Sequence, residues 1–311
     1  MNKHANNADI AHVLITGGTG FIGSALAERL LRLEIPVSVL SRDRKKALAH
    51  FAGRVGAVES LHELDPHNSP DVIINLAGKN LGEQRWNHTV KRQLIESRVN
   101  TTEKIVEYVA QAESRPKLLI SGSAVGYYGA RGDEVLEEGA EASDEFQSEL
   151  CQRWEEAANQ AQQYGVRVCI SRTGVVIGPH GGALSGLLPL FSKGLGAVAG
   201  TGEQWLSWIH MQDLLNIFVG FMQDSSLSGP FNNTAPNPVT NRQFAEAIGR
   251  ALHRPVMLRS PVWAMRLLYG EMAHLYLSGQ RVIPARHLQS GFVYRYPDID
   301  SALTNVLQAG S

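Results

Sequence analysis

Thr16-Gly17-Gly18-Thr19-Gly20-Phe21-Ile22-Gly23 follows directly on the apolar run Val13-Leu14-Ile15, and Ile22, Leu26 and Leu30 then repeat at four-residue spacing. This pattern predicts a strand, a tight glycine turn and a helix with one apolar face. The three spaced glycines have separate tasks. Gly17 permits the turn, Gly20 lets backbone approach a pyrophosphate, and Gly23 lets the helix lie close to the strand. Phosphate oxygens would meet unpaired helix amides, where the macrodipole favours negative charge. The stretch is read as a dinucleotide-binding turn, with Gly17, Thr19, Gly20, Phe21, Ile22 and Gly23 as its contacts.

The rest of the composition narrows the class. A chain of 311 residues with a formal net charge of -1 can bury a large core and carries no basic stripe for nucleic acid. No segment runs apolar for the roughly 18 residues that a membrane span needs, and the polar stretch Met1 to Asp9 lacks the apolar centre of a secretion signal. A cytoplasmic protein without a membrane or nucleic-acid partner is expected. Cys151 and Cys169 stand apart and the 11 histidines show no ligand spacing, so neither a disulfide framework nor a metal site is expected.

Apolar runs alternate with amphipathic stretches, which is the signature of βαβ units around a parallel sheet. Strands are expected at His12–Thr16, Pro36–Leu40, Asp71–Leu76, Lys117–Ser121 and Arg167–Arg172. The fold class is α/β, a Rossmann-type doubly wound parallel sheet, and functional residues should gather at the carboxyl ends of its strands.

The second strand is followed by Ser41-Arg42-Asp43-Arg44-Lys45-Lys46, about 20 residues beyond the glycines. An acid there would bind the ribose of NAD, whereas an arginine would meet a 2′-phosphate. Arg42 precedes the acid and Ser41 is small, so NADP is the expected cofactor, with Asp43 keeping NAD as the alternative. A charged cluster that simply opens a helix would read the same way. The third strand ends in Leu76-Ala77-Gly78, small enough for a cofactor to pass close to the backbone. In the polar segment that follows, Ser97 or Thr101 is a candidate helix cap.

With these residues in view, the chain resembles the extended short-chain dehydrogenase/reductase superfamily, which includes nucleotide-sugar epimerases and dehydratases. The likeness rests on the glycine turn, Asn75-Leu-Ala-Gly78, Ser121-Gly-Ser-Ala-Val-Gly-Tyr-Tyr-Gly129 and Arg172-Thr-Gly-Val-Val-Ile-Gly178. Within that group it looks like the uncharacterised "epimerase family" proteins that end in a small domain of unknown function. The narrower markers are Leu150-Cys151-Gln-Arg-Trp154-Glu155, Gly182-Ala-Leu, Gln204-Trp205-Leu-Ser-Trp208-Ile-His210 and Gly270-Glu271 through Gln280-Arg-Val-Ile-Pro284. The resemblance implies an NADP-type ligand, with Arg172 on the cofactor side. It also implies a cofactor unit over about 1–176, also taking in about 206–232, and a smaller, mostly helical substrate region over 177–311.

The superfamily's chemistry implies a serine, a tyrosine and a lysine four residues after it, the lysine lowering the phenol's pKa. Ser123 matches the serine, with Ser121 as a second candidate, while Cys151 and Glu155 occupy the places of the pair. A glutamate beside a thiol raises the thiol's pKa, so Cys151 is expected to be neutral near pH 7. It is either a proton donor or a small packing residue. Tyr127 and Tyr128, in a glycine-flanked loop, are the replacement acids, one of them serving only to pack. Lys91 is the nearest spare cation for a substrate anion, or else is solvated.

In the second half, Trp205, Trp208 and His210 are expected to line a substrate pocket, the alternative being an aromatic seam of core capped by Asp213. Thr240 with Gln243 forms a capping box for a helix with Phe244, Ile248 and Leu252 on one face. Trp263 to Gly291 is expected to be helical, with Leu267, Leu268, Met272 and Leu275 as core or as a homodimer face. Two functions follow. One is an NADP-dependent oxidoreductase or epimerase-like isomerase with an atypical site, acting on a small polar or nucleotide-sugar substrate. The other is a non-catalytic NADP-binding regulatory or interaction protein, the class to which the cell-division label of some relatives belongs.

Overall fold

Short runs such as Val13-Leu14-Ile15 and Val72-Ile73-Ile74 are buried completely, so they need apolar neighbours on both faces. A parallel sheet with helices on either side provides them. In the computed structural model, which describes residues 10–179 and 181–309, seven strands form this sheet. They are β1 (Val13–Thr16), β2 (Val37–Leu40), β3 (Gly56–Val58), β4 (Val72–Asn75), β5 (Leu118–Ala124), β6 (Arg167–Thr173) and β7 (Gly229–Asn233). Their spatial order is β7-β6-β5-β4-β1-β2-β3, every pairing parallel. The order reverses between β1 and β4, the switch point at which a doubly wound sheet opens a crevice. The polar stretch Met1 to Asp9 lies outside the described residues.

All five expected strands form, within a few residues of the expected bounds. The sheet adds two edge strands that the sequence hides. β3 has three residues, and β7 reads Gly-Pro-Phe-Asn-Asn, where proline is tolerated only because the strand lies at the edge.

Helices α1 (Phe21–Arg32), α2 (Arg44–His50), α3 (His88–Gln111), α4 (Phe146–Asn159), α5 (Gly182–Ser192) and α6 (Met211–Gln223) follow. One face of the sheet packs against Leu26 and Leu30 of α1 and Leu214, Phe218 and Phe221 of α6. The other packs against Ile105, Tyr108 and Val109 of α3 and Ala158 of α4. Along α3 the buried residues Val90, Leu94, Arg98 and Thr102 recur every four positions, so a single stripe of this long helix faces inward. Ser97 and Thr101 therefore sit mid-helix and do not cap it. The cap is Asn87, which accepts from the Val90 amide.

A second core joins Ile177, Leu184, Phe191 and Trp208 to α7 (Asn241–Leu252) and α11 (Ile299–Ala309). The Thr240–Gln243 capping box opens α7, satisfying two helix-end donors reciprocally. Between them, α8 (Val262–Tyr269), α9 (His274–Leu277) and α10 (Ala285–Gln289) are short and broken by extended segments. Met272 is buried and Leu275 half-buried, but Leu267 and Leu268 are exposed and do not belong to the core. α8 lies on the surface with Met265 as its buried residue.

Candidate functional site

The glycine turn is closed from behind by β4. A Cβ on Gly17, whose φ is +69°, would lie 2.8 Å from the backbone of Leu76, and one on Gly23 would lie 2.3 Å from the Gly17 carbonyl oxygen. The turn is thus pressed against Leu76-Ala77, and α1 against the turn. The Leu76 and Ala77 amides complete the junction by donating to the Thr16 carbonyl and hydroxyl. Gly20 caps α1 without a side chain and no acid stands in the first turn. The helix's first amides therefore face outward as donors without an intrahelical partner. Phe21 nests against Gly181 and Gly182, where a Cβ would meet its ring at 2.4 and 2.6 Å.

Beside this cradle, Ser41 and Arg42 lie just beyond β2. Asp43 caps α2, its carboxylate accepting from the Lys46 amide at 2.9 Å. Arg44 pairs with Glu63, whereas Arg42 is exposed.

At the carboxyl ends of β5 and β6 lies a buried polar cluster. Ser123 donates to Glu155 Oε1 at 2.6 Å. Arg172 grips the same carboxylate with two bonds, Nε to Oε1 at 2.9 Å and a terminal nitrogen to Oε2 at 2.8 Å. Its other terminal nitrogen donates to the Tyr128 hydroxyl and the Glu138 carbonyl, and Tyr128 donates onward to Asn232 at 2.6 Å. Burial works against the Arg172 charge, yet the Glu155 bonds outweigh it and hold the guanidinium above its ordinary value. Arg172, expected on the cofactor side, is instead fully engaged inside this cluster.

The geometry separates the candidate proton carriers. Burial pushes the Tyr128 phenol up to about 12, and its hydroxyl is bonded on both sides, to Asn232 and Arg172. Burial first, then the Glu155 charge, push the Cys151 thiol up to about 11; its Sγ points at the Ala124 carbonyl, 3.7 Å away. Tyr127 is half-buried, with Arg172 centred 3.5 Å over its ring, and among the described residues its hydroxyl has no partner.

The remaining candidates are placed elsewhere. Lys91 is partly exposed, pairs with the exposed Glu271 and lies over the Phe146 ring, so its charge is already matched. Trp208 is wholly buried, its indole donating to the Asn237 carbonyl. His210 is equally enclosed; it caps α6 through the Gln212 amide, stacks on Tyr296, and burial lowers its pKa to about 4. Trp208 belongs to the second core and His210 stacks on its Tyr296, so neither presents an accessible surface to a pocket. Trp205 is half-buried, donates to Asp133 and carries Arg281 over its ring. Asp213 is buried and receives the Arg295 and Tyr296 amides. Sequence reasoning missed Glu138, Asn232 and Gln147, polar residues that become buried only through tertiary packing.

No cluster of three or more metal-ligating side chains occurs among the described residues, and none of their helices is long and apolar enough to cross a membrane.

The NAD dependent epimerase/dehydratase family model matches residues 13–233, and a domain of unknown function, DUF1731, matches residues 260–306. An Arabidopsis thaliana protein, the chloroplastic homolog of epimerase family protein SDR39U1, is 37% identical over 303 residues, 95% of this chain and 86% of that one. A Mycobacterium bovis epimerase family protein is 41% identical over 302 residues, 94% of this chain and 96% of its own. The crystal structure of human SDR39U1 with NADPH superposes with a TM-score of 0.87 at 32% identity, covering 96% of this chain and 99% of that one. A UDP-glucose 4-epimerase from Thermotoga maritima, solved with UDP-glucose, gives 0.77 at 16% identity over 96% and 97% of the two chains, a likeness of fold alone. The sheet order, the glycine cradle and these matches along the chain make it a member of the NAD dependent epimerase/dehydratase family, with a DUF1731 domain at its carboxyl-terminal end.

Proposed function

We propose that this protein is an NADP(H)-dependent oxidoreductase of the short-chain dehydrogenase/reductase type that interconverts a small carbonyl compound and its alcohol. The observation that carries the reading is the cradle. It offers an uncapped helix start with no acid in its first turn, packed too tightly behind for any side chain on Gly17 or Gly23. Such a surface fits a pyrophosphate, and the human relative crystallised with NADPH supports the choice. When bound, the cofactor supplies or accepts a hydride. Both cysteines are buried and unpaired, which fits a reducing compartment such as the cytoplasm.

Asp43 spends its carboxylate on capping α2, which leaves the exposed Arg42 to meet a 2′-phosphate. Arg42→Ala is therefore expected to weaken NADPH about 10- to 100-fold and NADH far less, since a charge-assisted bond contributes roughly 1.5–3 kcal/mol. Equal losses for the two cofactors in fluorescence titrations would return the choice to NAD.

Ser123 commits its proton to Glu155, so toward a substrate its oxygen can only accept. A developing alkoxide must then draw its proton from another group, and Tyr127 is the phenol with a hydroxyl to give. Tyr127→Phe should cut turnover by about 10²–10⁴-fold without changing NADPH affinity. Tyr128→Phe should mainly cost stability, because it strips partners from Asn232 and Arg172. An unchanged rate in Tyr127→Phe would remove that tyrosine from the mechanism. The second reading, a cofactor-binding module without turnover, is favoured by one observation. The family's lysine position carries a carboxylate already neutralised by Arg172. Tight NADPH binding with no oxidation across a broad carbonyl panel would establish it.

A further inference from the structure

We propose that Arg98, a guanidinium buried behind the carboxyl end of β4 without a counter-charge, makes the crevice bind NADPH more tightly than NADP⁺. This rests on the oxidoreductase reading and names the oxidation state of the cofactor that the site selects. The two forms share every phosphate, including the 2′-phosphate assigned to Arg42, and differ in charge only at the nicotinamide, which is neutral in NADPH and positive in NADP⁺. A fixed positive charge near that ring therefore opposes the oxidised form alone.

The strand order decides where the ring can lie. Arg42 follows β2, whereas Ser123 ends β5 and Tyr127 comes just after it, and the spatial order between them is β5-β4-β1-β2. A cofactor whose 2′-phosphate meets Arg42 and whose ring reaches Ser123 and Tyr127 must cross the end of β4 at Leu76-Ala77-Gly78. Arg98 lies directly behind this point. A Cβ on Gly78 would be 2.8 Å from the Arg98 guanidinium carbon. The same guanidinium stands 5.2 Å from the centre of the Trp154 ring, whose edge packs against Gly122 of β5, so it is held between the ends of the two strands.

Nothing around Arg98 cancels its charge. It is 8% exposed, its terminal nitrogens donate to the Leu94 and Lys79 carbonyls, each at 3.0 Å, and its Nε is buried without a partner. No carboxylate pairs with it among the described residues. The acidic group that faces it is the Cys151 thiol, which burial and then Glu155 push up to about 11, so that it is protonated at neutral pH. Burial lowers the Arg98 pKa, but a guanidinium stays charged. Lys79 adds a second charge of the same sign, its Nζ lying 3.1 and 2.7 Å from the neutral amide oxygens of Gln84 and Gln93. By contrast, Arg172 is offset by Glu155. A buried charge of this kind acts through space, is little screened by salt, and needs no contact with the ring it repels.

The test is isothermal titration calorimetry of NADPH and of NADP⁺ on the full chain, with NADP⁺ also read by its displacement of NADPH fluorescence. The parent should bind NADPH at least about 10-fold more tightly, roughly the effect of a unit charge several ångströms away in a protein interior. Arg98→Met and Arg98→Gln should each bring the two affinities within about threefold of one another. The ratio separates charge from scaffolding, because a loosened β4 loop would weaken both forms alike and leave it unchanged. Equal affinities in the parent, or a ratio that survives in a variant that folds by circular dichroism, would overturn the proposal. A chain that binds neither form would instead overturn the cofactor reading beneath it.

Discussion

Glu155→Ala is expected to lower the melting temperature by roughly 6–10 °C. Removing one partner of a buried ion pair costs about 3–5 kcal/mol, because the other charge is left in a medium that cannot solvate it. For a chain of this size each kcal/mol shifts the midpoint on the order of 2 °C. Arg172 and Glu155 side chains are 5% and 9% exposed, so water has little means of replacing the lost carboxylate. Ser123 would lose its acceptor at the same time. The argument carries its own control. Replacing both members with apolar residues, Glu155→Leu with Arg172→Met, removes the charge instead of stranding it and should recover most of the loss. Thermal unfolding of the single and double variants measures the coupling directly. A single variant within about 2 °C of the parent would mean that the pair is not buried as described.

The same pair shows what a sequence can and cannot disclose. The four-residue interval from Cys151 to Glu155 is local and periodic, so their shared helix face was readable. The partner of Glu155 lies 17 positions away on another element, and nothing in local periodicity links α4 to β6. Arg172 therefore looked like a residue facing the cofactor. The five inner strands announced themselves because strands covered on both faces must be almost wholly apolar. Strand β7 did not, since Asn232 and Asn233 are buried by hydrogen bonds with Tyr128 and His287, and buried asparagines look like loop. Trp208 and His210 were misplaced for a related reason. A histidine that ends a strand and caps the next helix has the composition of a pocket residue but the burial of core. Likewise Gln147 carries no outward mark, and only packing beside Gly126, just after β5, buries it.

Gly20→Val should abolish measurable NADPH binding while leaving a folded protein, and the three glycines of the turn differ in a way that makes this position the informative one. Gly17 has a positive φ and no room behind it, and Gly23 would drive a Cβ into the Gly17 carbonyl, so substitution at either disrupts the fold itself. Gly20 has φ -80° and ψ 176°, an extended conformation open to any residue, and a Cβ there would approach only the Gly17 carbonyl, at 3.2 Å. The backbone can yield the few tenths of an ångström required. A side chain at a helix cap reaches toward the second and third amides of the helix, the donors that a pyrophosphate would use. Valine would cover them with methyl groups and offer no acceptor in return. The expected loss is at least 100-fold in affinity, equivalent to about 2.7 kcal/mol. With the parent protein at 100 times its dissociation constant, NADPH adds about 2.7 kcal/mol of stability, so its upward shift of the melting temperature should fall to the equivalent of about 0.4 kcal/mol or less in the variant. Circular dichroism and the midpoint without ligand report separately on folding. If Gly20→Val unfolds normally and still shows the full NADPH shift, the phosphates do not rest on α1, and the crevice must be entered from another strand end.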